Sequence, residues 1–289
     1  LRVDKYLQEI KLPNILLITL NHNDAAKLEQ LARKKNFRLS TAFELTQARE
    51  LLKKRSFDVV FLDREISVRV QERLATLLWQ KNPLAPFVLY SLDEKSQIDE
   101  REARLAGADI AWGSGVLEKL EKILGSLKPA GSVKPEDFSI MVVEDLDSPR
   151  DIICFFIESL GYTHVIGKSS VKEALEDLEQ QPEKYSCVVT DLKMPVLNGQ
   201  ELIRTIRSTD NLKHIPIITL TAHGTVDNLI ESLRNGTSGF LIKPPKKNDL
   251  TRELSRAMRI ITSGRNPRLT NEEEAELLRD LLIQKGMAD

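Results

Sequence analysis

Phe57-Asp58-Val59-Val60-Phe61-Leu62-Asp63 and Tyr185-Ser186-Cys187-Val188-Val189-Thr190-Asp191 share one pattern: an aromatic, a polar residue, a mainly apolar β-branched run, and a terminal aspartate. Each reads as a buried strand ending on a carboxylate. The likeness extends outward on both sides. Upstream, Asn14-Ile15-Leu16-Leu17-Ile18 matches Ser139-Ile140-Met141-Val142-Val143; downstream, Pro86-Phe87-Val88-Leu89-Tyr90-Ser91 matches Pro216-Ile217-Ile218-Thr219-Leu220-Thr221. The spacing from Ile15 to Ile140 is 125 residues, from Asp63 to Asp191 128, and from Ser91 to Thr221 130. Near-constant offsets over three strands mean two copies of one fold with small loop differences.

Within each copy, strands alternate with amphipathic segments. In the second copy the strands are expected near 139–144, 162–167, 185–190, 216–221 and 239–242, with helices such as Ser169 to Leu178 and Gly199 to Arg207 between them. Such alternation predicts an α/β protein of two tandem flavodoxin-like (βα)5 domains, each a doubly wound parallel sheet. The segment Ser126-Leu127-Lys128-Pro129-Ala130-Gly131-Ser132-Val133-Lys134-Pro135 carries prolines and a glycine without apolar periodicity, so it reads as a linker. The expected division is 1–127, a linker at 128–137, a second domain at 138–263 and a helical tail at 264–289. Leu1 to Leu12 could form a short helix, and Thr270-Asn271-Glu272-Glu273 reads as a capping box opening the tail helix.

The 289 residues hold 42 Lys plus Arg against 43 Asp plus Glu, and that balance argues against nucleic-acid binding by bulk charge. The short basic runs at Arg33 and Lys53 read as solvated helix faces. Two cysteines, Cys154 and Cys187, exclude a disulfide framework and have no metal-ligand spacing. No apolar run reaches membrane-span length and no signal-peptide pattern opens the sequence, which points to the cytoplasm and away from a membrane.

In open parallel sheets, ligands bind beyond the carboxyl ends of the strands. In the second copy Glu144 and Asp145 end the first strand, Asp191 the third and Thr221 the fourth, and Lys243 follows the fifth. Three carboxylates gathered at one edge repel unless something neutralises them. A hard divalent cation with oxygen ligands does so; Mg²⁺ suits an open site that keeps several waters, and Lys243 adds a second positive charge. Asp191 is then a carboxylate nucleophile of the aspartyl-phosphate kind, with Thr221 and Lys243 as partners for phosphoryl oxygens.

On these residues the second copy resembles a two-component receiver domain over roughly Asp137 to Ser263. The matching features are Glu144-Asp145, Asp191-Leu192-Lys193-Met194-Pro195 with Gly199, Leu220-Thr221-Ala222, and Phe240 before Lys243-Pro244; Pro245 doubles the proline, with no expected chemical consequence. The resemblance implies that Asp191 accepts phosphate from a phosphohistidine on a sensor histidine kinase or phosphotransfer protein. It implies that Glu144, Asp145, Asp191 and the Lys193 carbonyl hold Mg²⁺. It also implies a switch in which the Thr221 hydroxyl moves to the phosphate and the Phe240 ring turns inward. The chain thus looks like a response regulator with tandem receivers, not an enzyme beyond its own phosphorylation and dephosphorylation. His223, near the mouth of the site, reads first as a helix-start residue.

The first copy keeps the pattern and loses the chemistry. Asp63 and Ser91 stand in the places of Asp191 and Thr221, but Thr19-Leu20 replaces the acidic pair, Ala111 takes the aromatic's place, and the lysine position falls on Gly113 or Ser114. A lone carboxylate binds Mg²⁺ poorly. The expectation is a degenerate pseudo-receiver, with a shifted site around Asn21 and Asp24 as the alternative. The 26 residues after Ser263 are short for an effector domain, so output within this sequence is expected through protein contact, including a homodimer through the second copy's fourth helix, fifth strand and fifth helix. Leu278, Leu281 and Leu282, with Leu277 one face over, form the tail's apolar stripe. Rival readings are an aspartyl-phosphate phosphatase, which usually carries a second aspartate where Lys193 stands; a nucleotide or flavin binder, disfavoured by the lack of a Gly-rich loop; and a DNA-binding regulator whose effector lies outside this sequence.

Overall fold

The computed structural model describes residues 12–92, 108–111, 115–125, 127, 133–222 and 225–284. The chain divides into two compact units, Leu1–Ser132 and Val133–Asp289. Residues 1–11 of the proposed N-terminal helix, the first half of the linker (128–132), Gly113, Ser114 and His223 lie outside the described residues.

The first unit contains β1 (Asn14–Ile18), α1 (His22–Lys34), β2 (Arg38–Ala42), α2 (Leu45–Lys54), β3 (Val59–Asp63), α3 (Val68–Trp79), β4 (Phe87–Tyr90), β5 (Asp109–Ala111) and α4 (Val116–Gly125). The second contains β6 (Ser139–Val143), α5 (Asp147–Glu158), β7 (His164–Lys168), α6 (Val171–Gln180), β8 (Cys187–Asp191), α7 (Gly199–Ser208), β9 (Ile217–Thr221), α8 (Val226–Asn235), β10 (Gly239–Ile242), α9 (Lys247–Ser263) and α10 (Glu272–Gln284). Both sheets are parallel and five-stranded, ordered β2-β1-β3-β4-β5 and β7-β6-β8-β9-β10.

The central strands are buried on both faces, as helices on each side of a parallel sheet require. In the second unit, Met141, Val143 and Val188 pack with Leu202, Ile203 and Ile206 of α7 in one cluster. The registers of the two sheets correspond residue for residue at the functional edge. Asp63 lies opposite Tyr90, as Asp191 lies opposite Leu220. Tyr90 lies opposite Ala111, as Leu220 lies opposite Leu241. Ile110, not Ala111, therefore holds the register position of Phe240. The pairs Tyr90–Ala111 and Leu220–Leu241 are each 21 residues apart, so the offset of 130 between Ser91 and Thr221 carries through unchanged and already assigns Ile110; the expectation for Ala111 was one residue out.

The tail helix is capped one residue later than expected: the Asn271 side chain accepts from the Glu274 amide at 2.8 Å, and the Glu274 carboxylate accepts from the Asn271 amide at 3.3 Å. Both Thr270 and Asn271 have a glutamate three residues on; the helix begins at Glu272, so Asn271 with Glu274 forms the box. The helix lies on α8: Ala275 is buried with Ile230 and Leu233, and Leu269 and Leu278 pack against them, whereas Leu277 is exposed. The fourth-helix side of the expected dimer face is thus occupied by the chain's own tail. Among the described residues, no helix is long and apolar enough to cross a membrane.

Candidate functional site

The second unit's parallel strands bring their carboxyl ends to one edge. β6 delivers Glu144, which is fully buried, and Asp145, which is half-buried; β8 ends on buried Asp191. Oxygen atoms of these three carboxylates lie within 4.8 Å of one another. Lys243 follows β10, and its amide donates to the Thr221 carbonyl at 2.7 Å, tying the ends of β9 and β10 together. Its ammonium pairs with Asp191 at 2.7 Å and with Glu144 in a still shorter contact. Thr221, the last residue of β9, is buried, and Phe240 is half-buried against the cluster containing Met141 and Val143. Lys193 and Pro195 are exposed in the loop after Asp191.

Burial pushes the Glu144 carboxyl above its ordinary value; the Lys243 ammonium opposes that shift, and the Asp191 and Asp145 charges add to it. For Lys243, burial acts against the charged form, but hydrogen bonds to Asp191 and Glu144 outweigh it and the pKa is raised. One lysine thus holds two carboxylates. It leaves the Glu144 Oε1 atom buried without a hydrogen-bond partner. A buried carboxylate oxygen in that condition, beside two further carboxylates, suits a hard cation bound through oxygen.

One supporting residue, Arg150, was not singled out by the sequence. Arg150 on α5 donates to the Glu144 carbonyl at 2.9 Å and pairs with Asp147, fixing the acidic turn. The only sequence signal was the (i, i+3) spacing of Asp147 and Arg150, common on any helix surface. Gly199, already singled out by the sequence, opens α7 against the loop after Asp191, its amide donating to the Leu192 carbonyl at 3.0 Å. Asn198 caps that helix: its side chain accepts from the Glu201 amide at 3.0 Å, and Glu201 accepts in return from the Asn198 amide at 2.8 Å.

The first unit's corresponding edge is built differently. Thr19 is buried where Glu144 stands in the second unit, and its hydroxyl donates to Asp63 at 3.4 Å; Leu20 is exposed in the place of Asp145. Asn21, Asp24, Asp63, Glu65 and Ser91 line an open cleft of about 690 Å³. Burial raises the Asp24 pKa, opposed by Lys27 and reinforced by Asp63 and Glu65. Among the described residues, the cluster of Glu144, Asp145 and Asp191 is the sole group of three acidic, His or Cys ligands close enough to share one ion.

The response regulator receiver domain family matches residues 140–255. The chain is similar to the chemotaxis protein CheY of Pseudomonas aeruginosa, 32% identical over 105 residues that cover 36% of this chain and 83% of that protein. It is similar to chemotaxis protein CheY1 of Helicobacter pylori strain 26695, 33% identical over 105 residues covering 36% and 84%. Among solved structures, a response regulator receiver domain protein from Clostridium thermocellum is 29% identical, with a TM-score of 0.39, covering 44% of this chain and 97% of that one. The matched segment runs from β6 into α9 and contains every site residue of the second unit. The chain belongs to the response regulator receiver family of two-component signal transduction.

Proposed function

We propose that the second unit takes a phosphoryl group onto Asp191 from a phosphohistidine of a sensor histidine kinase or phosphotransfer protein. The observation that carries this reading is the buried cluster in which Lys243 bridges Asp191 and Glu144 while Glu144 Oε1 is left without a partner. An Asp191 carboxylate oxygen attacks phosphorus, the phosphorus–nitrogen bond breaks, and the imidazole leaves with the bonding pair. Lys243 steadies the carboxylate and then pairs with a phosphoryl oxygen; the Thr221 hydroxyl donates to another. Glu144, Asp145 and Asp191, with the Lys193 carbonyl, would hold Mg²⁺, whose charge lets two anions meet. Arg150 keeps the acidic turn in place. Thr221 and Phe240 act as the switch, and the output is a protein–protein contact in the cytoplasm. No chemistry beyond acquiring and losing the phosphoryl group is required of the chain.

The working division is a pseudo-receiver at 1–127, a linker at 128–137, the phosphoacceptor domain at 138–263 and a tail at 264–289. The buried Thr19 and exposed Leu20 support the degenerate reading of the first unit, since neither offers a carboxylate.

Intact-mass and peptide analysis after treatment with acetyl phosphate and Mg²⁺ tests the assignment. One phosphoryl group on Asp191 is expected, absent without Mg²⁺ and absent in Asp191→Asn. Label retained on Asp63 in that variant overturns it.

A further inference from the structure

Both main-chain groups of Glu144 are held from outside the carboxylate cluster. Its amide donates to the carbonyl of Lys168, the last residue of β7, at 3.1 Å. Its carbonyl accepts from the Arg150 guanidinium at 2.9 Å. Lys168 is itself anchored, its ammonium pairing with Asp177 at 2.7 Å, so β7 gives a fixed hold on one side. The hold on the other side depends on where Arg150 lies.

Arg150 reaches the Glu144 carbonyl by running across Gly167, the β7 residue opposite Val142. A β-carbon at Gly167 would stand 3.0 Å from the Arg150 Cδ atom and 3.3 Å from both its Cγ and Nε atoms. Gly167 has ordinary strand backbone, not the left-handed conformation that favours glycine. What its missing side chain provides is therefore space, and the Arg150 stem fills it. The far end of Arg150 is not free to give way. Its guanidinium is bonded to the Glu144 carbonyl and paired with Asp147, and its side chain is only 16% exposed. The Asp147 partner is 86% exposed, so that pair contributes little by itself. The bond to the Glu144 carbonyl is the consequential one, because that carbonyl belongs to the peptide link joining the two acidic residues.

We propose that Arg150 and Gly167 are positioning residues that set the affinity of the cation site. The Gly167 slot seats the Arg150 stem, and Arg150 fixes the Glu144–Asp145 peptide so that both carboxylates stay within reach of Asp191. Rotation of that peptide turns both carboxylates relative to Asp191. Groups that orient metal ligands from behind commonly set affinity by about 10- to 100-fold. Bulk electrostatics runs the other way: Arg150 brings a positive charge close to a cation site, and removing it should by itself tighten the site. The sign of the change separates the two effects.

This inference rests on the reading of Glu144, Asp145 and Asp191 as the cation site for phosphoryl transfer, and the experiment separates the two. Mg²⁺ binding to the full chain is measured by calorimetry. Acetyl phosphate incorporation is followed by intact mass across a Mg²⁺ series on the same preparations. Arg150→Met keeps the stem and removes the guanidinium, and Mg²⁺ affinity should fall by about 10- to 100-fold. The half-saturating Mg²⁺ for incorporation should rise by the same factor, while the rate at saturating Mg²⁺ returns to that of the parent. General loss of structure would not give that split. Gly167→Ala changes no charge and should weaken binding in the same direction by less; it also serves if Arg150→Met does not fold. In Arg150→Met the stem is no longer pinned and can swing aside, so adding Gly167→Ala should weaken binding no further. Unchanged or tighter Mg²⁺ binding in Arg150→Met overturns the positioning role, and losses that add in the double variant overturn the slot. Mg²⁺ binding in the parent without incorporation sinks the phosphoacceptor reading and leaves the positioning role standing. A parent chain that binds no Mg²⁺ sinks the cation site and this inference with it.

Discussion

Gly199 lies so close to the main-chain oxygen of Asp191 that a β-carbon would collide with it, and would come within 3.0 Å of the Leu192 α-carbon. Backbone atoms cannot swing aside as a side-chain end can. Gly199→Ala must push α7 away from the loop after Asp191, with an overpacking cost of about 1–3 kcal/mol. Chemical denaturation should show that loss. Acetyl phosphate incorporation should fall at the same time, because the loop that moves carries Asp191. A variant of unchanged stability and rate would mean that this contact is relaxed in solution.

Lys243→Met leaves Glu144 and Asp191 facing one another with no cation between them. Removing one partner of a buried pair costs about 3–5 kcal/mol. A divalent cation restores positive charge at the same place, so Mg²⁺ should raise the melting temperature of Lys243→Met more than that of the parent chain. Thermal scans across a Mg²⁺ series read this directly; equal shifts in both proteins would argue that Lys243 and the cation do not serve the same carboxylates.

The first unit should not join in that response. On the full chain, Glu144→Gln combined with Asp145→Asn should abolish saturable Mg²⁺ binding measured by calorimetry, since Thr19 and Leu20 give the other edge no acidic pair. A surviving isotherm in the double variant, lost on adding Asp24→Asn, would establish the shifted site near Asn21 and Asp24.

Asp177 gives the second unit an acid-sensitive tie. Hydrogen bonds from Lys168 and Tyr185 lower its pKa from 3.8 to about 2. Lys168 pairs with it at 2.7 Å, and the Tyr185 hydroxyl donates to it at 2.6 Å. The folded pKa lies below the unfolded one, so the unfolded chain binds more protons in this range. The contribution is therefore present above pH 3.8 and is lost as pH falls toward 2. Asp177→Asn should destabilise the unit by about 1.5–3 kcal/mol at neutral pH, the usual worth of hydrogen bonds to a charged group. Its difference from the parent should close on acidification. Hydrogen exchange of β7 and β8 from pH 6 downward measures that gap, and a gap that widens as pH falls would reverse the sign argued here.

Much of this protein was legible in the residue order. Strand periodicity and parallel connection place Asp191, Thr221, Glu144 and Lys243 at one edge without reference to coordinates, because every strand of such a sheet points the same way. The repeat offsets likewise predicted two sheets of one design, and the registers agree at Asp63 and Asp191. The offset of 130 that relates Ser91 to Thr221 also relates Ile110, not Ala111, to Phe240, and the registers agree with it. Tertiary structure alone decided which side chains meet. Lys243 reaches Glu144 across 99 residues, Gln200 bridges to Ser232 and Asn235, and Ala275 seats on Ile230 and Leu233. Periodicity determines which face of an element is buried. Which distant residue fills the space against it depends on how the packed elements meet, and no local pattern in the chain records that.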